Sequence, residues 1–176
     1  MSVTSITSAT SDDALGIQEV FYKTWLDTYP NNEAGITVED IEDMFKNAFT
    51  EETIQKRKEQ IRNPKDGVIM LIAKDGSKVV GLCVLVKRED KNQLQAIYVL
   101  PEYQGKRIGS LFWEEAIKIF GLSKDIIVEV ATFNDKAISF YKKLGFKDTG
   151  KRFSNEKFRM KSGSIIPEME MILKAV

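Results

Sequence analysis

The residues with the clearest chemical meaning lie where an apolar strand passes into an amphipathic helix, at Gln104, Gly105, Lys106, Arg107, Ile108, Gly109 and Ser110. The first N–H groups of a helix lack partners within the helix, and the helix dipole is positive there, so such a junction binds phosphate. Glycine at positions 105 and 109 permits close approach of a ligand, and the intervening basic pair adds positive charge. The segment predicts a binding site for a phosphorylated cofactor.

A second segment follows one helix later and has the order strand, Asn-x-x-Ala, Tyr-x-x-x-Gly-Phe, over Ile127 to Phe146. Together the two segments resemble the acetyl-CoA signatures of the GNAT superfamily of N-acetyltransferases, whose pyrophosphate loop reads Gln/Arg-x-x-Gly-x-Gly/Ala. Arg107 departs from this pattern because the family usually has glycine there. Its side chain is expected to point away from the pyrophosphate and could instead reach the 3′-phosphate of CoA.

The resemblance implies acetyl-CoA as co-substrate and assigns residues to it. The loop from Gln104 to Ser110 would hold the pyrophosphate, and the N–H groups around Ile97, Tyr98 and Val99 would pair with the pantetheine arm, one of them polarising the thioester carbonyl. Asn134 would bind the arm or an ordered water, although an Asn that opens a helix is also an ordinary N-cap.

Two residues are candidates for proton transfer. In the family branch that acetylates ribosomal-protein N-termini, a Glu before the Asn is the base and the Tyr after it is the acid, which correspond here to Glu129 and Tyr141. Glu129 could instead point to solvent from an alternating strand, leaving a water chain as the base, and Tyr141 could simply pack in the core. Gln93 and Gln95 occupy another common base position, but an amide does not accept a proton usefully at neutral pH.

Composition narrows the chemistry further. The 176 residues contain no His and one Cys, which excludes a His-dependent nucleophile relay and argues against a transition-metal site. Cys83 lies in a continuous apolar run and is expected to be a buried core residue rather than an acyl carrier.

Charge and hydropathy bear on partners and location. Equal numbers of basic and acidic residues, 26 each, give no net field that would collect nucleic acid or an anionic membrane. There is no basic, apolar leader at the N-terminus and no membrane-length apolar run. We therefore expect a cytoplasmic protein that acts without nucleic acid or membrane.

The elements that position these residues alternate in type. The patterns predict strands near 3–7, 68–73, 78–86, 93–99, 126–131, 146–152 and 165–173, with the second and third forming a hairpin. Helices are predicted from Ser11-Asp12-Asp13 to before Pro30, from Thr37, from Thr50, over the apolar face Ile108 to Ile119, and over 135–144.

These elements predict an α/β fold with a mixed, mostly antiparallel twisted sheet and helices on both faces. The resemblance adds a splayed central strand pair that admits the pantetheine arm. We expect a single domain over 1–176, with acceptor-side helices in 1–65, an acetyl-CoA-binding core in 68–150 and closing strands in 151–176.

The acceptor is less defined than the cofactor. Phe21, Trp25 and Tyr29 share one helix face, which favours core packing, yet the nearby acids Asp27, Glu33 and Asp40 would suit a cationic amine. The stretch Thr24 to Tyr29 also resembles the first helix of polyamine acetyltransferases. A polyamine or other small amine, a protein N-terminus or lysine, an aminoglycoside and an amino acid all remain candidates.

The sequence therefore predicts an N-acetyltransferase that moves the acetyl group of acetyl-CoA to a primary amine by direct attack in a ternary complex. The alternative is a catalytically silent acyl-CoA-binding regulatory module. A P-loop nucleotide binder is a further class, but Gly-x-x-x-x-Gly-Lys-Ser/Thr is not present. A homodimer is one arrangement that an edge strand near the C-terminus would allow.

Overall fold

A computed structural model describes residues 5–176 as one seven-stranded sheet with the order β1-β2-β3-β4-β5-β7-β6. The strands are β1 (Ser5–Ser8), β2 (Val68–Asp75), β3 (Lys78–Val86), β4 (Asn92–Val99), β5 (Ile126–Ala131), β6 (Lys147–Ser154) and β7 (Pro167–Leu173). The α-helices are α1 (Ala14–Thr28), α2 (Val38–Phe45), α3 (Glu51–Arg62), α4 (Ile108–Phe120) and α5 (Asp135–Lys143). All strand pairs are antiparallel except β4 with β5. The predicted fold class is confirmed.

The centre of the sheet is the β2–β3 hairpin, which the sequence predicted. Its strands pair from Val68↔Val86 to Asp75↔Lys78, so Gly76 and Ser77 form the connection. Gly76 has φ +60, a conformation that suits glycine at such a turn. Cys83 lies in β3 with no exposed surface, and burial raises the pKa of its thiol to about 12. A thiol in this state is not a nucleophile at neutral pH.

The parallel pair β4 and β5 is joined only at Asn92↔Ile126 and Gln93↔Ile127. Directly beyond this point the pairing of β4 with β3 skips Gln95, because Leu94 faces Leu85 and Ala96 faces Val84. Such a bulge bends a strand and increases its twist. The remaining length of β4, from Gln95 to Val99, therefore leaves β5 and opens a gap in the sheet.

Helices cover both faces of this sheet. On one face α1 packs Phe21 against Tyr98, with ring centroids 5.4 Å apart. On the other face α4 packs Phe112 against Gly81, where an added Cβ would lie 3.0 Å from the ring. Tyr98 and Gly81 project to opposite sides because Gly81 faces the neighbouring residue Val99. One buried cluster joins the sheet to α1 and α4, and a smaller second cluster packs Trp25 of α1 against Ile41 of α2.

The predicted element bounds hold to within a few residues. The helix start predicted at Ser11-Asp12-Asp13 is a 3-10 turn, in which Asp13 Oδ2 accepts from Thr10 N at 2.8 Å, and α1 itself begins at Ala14. The closing strands begin at Lys147 and Pro167 rather than at 146 and 165. The predicted edge strand near 3–7 appears as β1, and its positions 3 and 4 lie outside the described residues. Within residues 5–176 no helix has the length and apolar character of a membrane span.

Candidate active site

One cleft of about 1320 Å³ occupies the gap between β4 and β5. Its walls come from α1, from the open part of β4, from β5 and β7, and from the first turns of α4 and α5. It brings together nearly all the predicted site residues: Ile97, Tyr98, Val99, Gln104, Gly105, Arg107, Ile108, Gly109, Ser110, Glu129, Asn134 and Tyr141. Lys106 is the predicted residue that does not line it.

The start of α4 has the geometry of an anion cradle. Gly105 has φ +77 and an added Cβ there would meet nothing within 4 Å, so the loop is open toward the cleft. Arg107 is the N-cap with φ 65, and its side chain makes no capping hydrogen bond. The N–H groups of Ile108, Gly109 and Ser110 thus lack helical partners, as the first groups of any helix do. They can donate to an anion in the cleft.

Side chains around this loop hold one another in place. The Gln104 amide nitrogen donates to the Val99 carbonyl over 3.2 Å, and its amide oxygen accepts from Lys136 Nζ at 2.7 Å. Lys106 instead turns its ammonium over the Tyr103 ring, 4.6 Å from the centroid. Gln104 therefore fastens the loop to β4 and α5, while Lys106 contributes charge beside the cleft rather than a contact within it.

For Tyr141 the sequence left two roles open, that of a general acid and that of a core residue. The residue is buried, and its ring packs edge-on against Phe140 and Phe146 with centroids 5.4 and 5.7 Å away. It nevertheless lines the cleft from α5. Burial raises the pKa of Tyr141 well above its ordinary value, as do nearby Cys83 and Tyr98, so its hydroxyl keeps its proton at neutral pH. The side chain is a core residue with a proton-bearing group at the gap.

Asn134 and Glu129 lie across the gap from β4. Asn134 caps α5, since its side-chain oxygen accepts from Ala137 N at 3.1 Å, and this leaves its amide N–H groups for a ligand. Glu129 is half-buried in β5 and lines the cleft, rather than pointing only to solvent. Gln93 is buried against Arg88, and Gln95 is the bulged residue at the cleft.

Residues 35–146, more than half of the chain, match the acetyltransferase (GNAT) family. The chain belongs to the GNAT acetyltransferase family. This confirms the resemblance found in the two sequence segments. A comparison with curated protein sequences finds no match.

Solved structures show the same GNAT fold. The PaiA N-acetyltransferase of Thermoplasma acidophilum, in complex with coenzyme A, is 24% identical, with 98% of each chain covered and a TM-score of 0.69. The ribosomal-protein-S18-alanine N-acetyltransferase of Escherichia coli is 18% identical, covering 96% of this chain and 92% of that one, with a TM-score of 0.64. A phosphinothricin acetyltransferase of Sinorhizobium meliloti, in complex with AcCoA, is 17% identical over 98% and 89% of the chains, with a TM-score of 0.65.

The cleft of this GNAT protein contains a carboxylate that the sequence analysis missed. Glu168 lies in β7 directly opposite Ala131, at the end of β5 that borders the gap. Burial raises the pKa of Glu168 to about 6, and the charge of Glu129 contributes. Its alternation with Met169 and Met171 was visible in the sequence, but nothing local indicated that β7 would insert beside β5.

An aromatic wall faces these carboxylates from α1 and β4. Phe21, Trp25 and Tyr29 all line the cleft, beside Tyr98. Of the three acids near this stripe, Asp27 lines the cleft, but Asp40 is committed elsewhere. Its carboxylate accepts from Ser162 N and Ser162 Oγ, both at 2.8 Å. Asp40 thus anchors the loop between β6 and β7 to α2.

The part of the chain from 5 to 176 contains no group of three or more Cys, Asp or Glu side chains placed to hold a metal ion. The cleft itself presents backbone N–H groups, the carboxylates of Asp27, Glu129, Asp135 and Glu168, and buried phenols.

Proposed function

We propose that this GNAT protein transfers the acetyl group of acetyl-CoA to a primary amine by direct attack in a ternary complex. The observation that carries the proposal is the single cleft in which an open strand edge, a helix N-terminus, a carboxylate and a protonated tyrosine meet. Acetyl-CoA as co-substrate is supported by the family match and by the coenzyme A and AcCoA held by proteins of the same fold.

The cofactor would lie along elements that already present donors. The pyrophosphate would bind the first N–H groups of α4, between Gly105 and Ser110, where the helix dipole favours negative charge. The pantetheine arm would pair with β4 from Ile97 to Val99, because β5 leaves that edge unpaired beyond Gln93. An N–H of this edge would polarise the thioester carbonyl, a contribution of a few kcal/mol in comparable sites.

The reaction then needs proton transfers on both sides of the thioester. An alkyl ammonium has a pKa of about 10, so its nitrogen must lose a proton before it attacks the carbonyl carbon. Glu129 would accept that proton. The N–C bond forms, the C–S bond breaks, and Tyr141 donates its proton to the leaving sulfur. The second proton lost by nitrogen restores the Tyr141 hydroxyl, and Glu129 releases the first one to solvent.

The proposed general acid and the aromatic wall belong to helices on opposite faces of the sheet. Tyr141 belongs to α5, which contacts α4 where Phe140 lies 3.3 Å from a Cβ built on Gly109. The aromatic wall belongs to α1 on the opposite face. An amine that enters from the α1 side would meet the carbonyl through the gap while the thiol leaves toward α5. In this arrangement residues 1–65 supply the acceptor side, 68–150 the cofactor core and 151–176 the closing strands.

The test is thiol release from acetyl-CoA with a panel of amines: a polyamine, an aminoglycoside, an amino acid, a peptide with a free N-terminus and a blocked peptide with an internal lysine. The expected result is turnover of one class, with a product mass increased by one acetyl group. Acetyl-CoA binding without release for any amine would instead favour the silent binding module.

A further inference from the structure

We propose that Glu168 forms with Glu129 one proton-accepting pair, in which Glu168 is the member that takes the first proton from the incoming ammonium. The inference rests on the proposed function and deepens it at the acceptor end of the cleft. It follows from the strand register, from the polar partners that the two carboxylates lack, and from the hydroxyl groups around them.

The register places both carboxylates on the same face of the sheet. Glu129 is opposite Glu170 and Ala131 is opposite Glu168 in the antiparallel pair β5–β7. Directly opposed residues share a face, and so do residues two positions apart, which makes Glu129 and Glu168 diagonal neighbours roughly 7 Å apart at their backbones. Both line the cleft.

Glu170, the third glutamate on this face, differs from the other two because it has a counter-ion. Glu170 is buried and does not line the cleft, and its Oε2 lies 3.3 Å from Lys151 Nζ. Among residues 5–176, no cation lies within ion-pair distance of Glu129 or Glu168, and neither side chain has a hydrogen-bond partner. Two adjacent carboxylates without a counter-ion are unfavourable unless a cation or a proton joins them.

The groups that face Glu168 from β5, α1 and β4 favour its protonated form or are neutral. Burial raises the pKa of Glu168 to about 6, and the negative charge of Glu129, which faces it from β5, adds to this effect. Tyr29 from α1 and Tyr98 from β4 have pKa values raised by burial and, in addition, by the charge of Glu168, so both remain neutral phenols. From β6 the facing residue is Phe153, and Lys151 beyond it is bound to Glu170. Lys157 lines the cleft from the following loop.

The consequence for the reaction is a base matched to neutral pH. A carboxylate whose pKa lies close to the working pH takes a proton from an ammonium more readily than an ordinary glutamate does. In this refinement Glu168, in place of Glu129, takes the first proton from nitrogen as the amine reaches the carbonyl carbon, and the fixed charge of Glu129 holds that proton there. The N–C bond then forms, the C–S bond breaks and Tyr141 protonates the leaving sulfur. The second proton lost by nitrogen restores the Tyr141 hydroxyl, and Glu168 releases the first one to solvent.

The test compares the full chain with the variants Glu168→Gln, Glu129→Gln and Glu170→Gln, using the amine that the native enzyme turns over best. Glu170→Gln is the matched control because it removes the same charge from the same strand, two residues away and outside the cleft. For each protein kcat/KM for the amine is measured between pH 5.5 and 10, with acetyl-CoA affinity and melting temperature as further readouts.

The native enzyme is expected to lose activity as pH falls through about 6, where Glu168 gains its proton. Glu168→Gln should lower kcat/KM at pH 7 by roughly 100-fold, and this deficit should shrink at high pH as the amine deprotonates by itself. Glu129→Gln should move the acid limb to lower pH because the neighbouring negative charge is gone. Glu170→Gln should keep the native profile.

The melting temperature of Glu168→Gln distinguishes a functional carboxylate from a structural one, because loss of a structural carboxylate would lower it. A carboxyl whose folded pKa is raised stabilises the fold most below its unfolded pKa, and that stability is lost as pH rises through about 6. Glu168→Gln should therefore melt at a higher temperature than the native protein at pH 8, with a smaller gain at pH 4.5. Lower activity with higher stability identifies a functional carboxylate.

Three results would overturn the proposal. Glu168→Gln could match the native enzyme at pH 7, or it could be reduced by one constant factor at every pH, or it could melt well below the native protein at pH 8. In all of these the native enzyme still acetylates its amine, so the proposed function stands. If the native protein binds acetyl-CoA and acetylates no amine, the proposed function fails and the role of Glu168 fails with it.

Discussion

The two ends of the cleft are built on different principles. At the end proposed to hold the cofactor, backbone N–H groups of α4 and β4 are available as donors, and the residues that present them follow one another closely from Ile97 to Ser110. At the end proposed to hold the acceptor, side chains from α1, β4, β5 and β7 meet although they are separated by more than a hundred positions, as Tyr29 and Glu168 are. If the proposed function is correct, binding of the co-substrate would depend on local backbone geometry, and selection of the amine would depend on long-range packing.

The largest effect is expected at Tyr141, which lies between the two ends. Tyr141→Phe keeps the ring that packs against Phe140 and Phe146 but removes the hydroxyl. Loss of a general acid typically lowers the rate by about 10²- to 10⁴-fold, and the KM for both substrates should change little. Steady-state kinetics of thiol release measure this, with the melting temperature as a check on the fold. Equal kcat values for the native protein and Tyr141→Phe would mean that Tyr141 is a core residue and not the general acid.

A smaller effect is expected when the backbone of the loop before α4 is strained by a substitution at Gly105. Gly105→Ala places a Cβ at φ +77 with nothing within 4 Å, so it introduces backbone strain without a clash. Gly76→Ala is the matched control, because it has φ +60, is equally unobstructed and lies in the β2–β3 turn. Both changes should cost about 1 kcal/mol of stability.

Only Gly105→Ala should raise the KM for acetyl-CoA, by roughly tenfold, which corresponds to about 1.4 kcal/mol of binding. Its KM for the amine should stay near the native value. A comparable rise in the KM for acetyl-CoA in Gly76→Ala would show that strain elsewhere in the sheet also disturbs the cleft. That result would contradict the proposed difference between the two ends of the cleft.

The acceptor end should respond to a contact that lies outside the cleft. Asp40→Asn weakens the two hydrogen bonds from Ser162 and the bond of 3.0 Å from Thr37 N. Because these bonds hold the loop between β6 and β7, we expect the KM for the amine to rise several-fold with acetyl-CoA KM unchanged. The free energy of unfolding should fall by about 1 to 3 kcal/mol.

The pH dependence of stability tests whether the negative charge of Asp40 causes the loss of stability in Asp40→Asn. Although burial alone would raise it, the hydrogen bonds from Thr37 and Ser162 lower the pKa of Asp40. A lowered carboxyl pKa adds stability above the unfolded value, about 3.9, which is lost as pH falls through the folded value. The difference in stability between native protein and Asp40→Asn should thus be full at pH 7 and shrink below about pH 4. A difference that is constant with pH would contradict this.

The smallest effect concerns the residue that departs from the family pattern. Arg107 has φ 65, a conformation that a non-glycine residue adopts at a cost. Arg107→Gly should stabilise the protein by about 1 kcal/mol in urea unfolding, since the relief of strain exceeds the entropy that glycine adds to the unfolded chain. Arg107→Gln keeps the strain and removes the charge, so it shows separately whether the guanidinium contributes to acetyl-CoA affinity. Unchanged stability in Arg107→Gly would mean that the loop relaxes around arginine without strain.

Most of the fold was predictable because its signals are local. The hairpin follows from two apolar runs joined by the glycine-containing turn Lys74 to Ser77, and the starts of α2 and α5 follow from the capping residues Thr37 and Asn134. The bulge at Gln95 was not predictable, since the residue itself carries no turn signal and the skipped pairing depends on β3. Asp40 was one of three acids that would suit a cationic amine because it is close in sequence to the aromatic stripe, and in the structure its carboxylate accepts from Ser162 instead.

By itself the sequence determined the family, the junction of strand and helix at Gln104 to Ser110, and the strand, Asn and Tyr of the second segment. These depend on contiguous residues, whose backbone geometry follows from glycine placement and capping. Only the tertiary structure decided that β7 lies beside β5 and brings Glu168 to Glu129, and that α1 places Tyr29 and Trp25 opposite them. The physical reason is that a side chain's proton affinity depends on what desolvates it and which charges face it, and both are set by strands far apart in the chain.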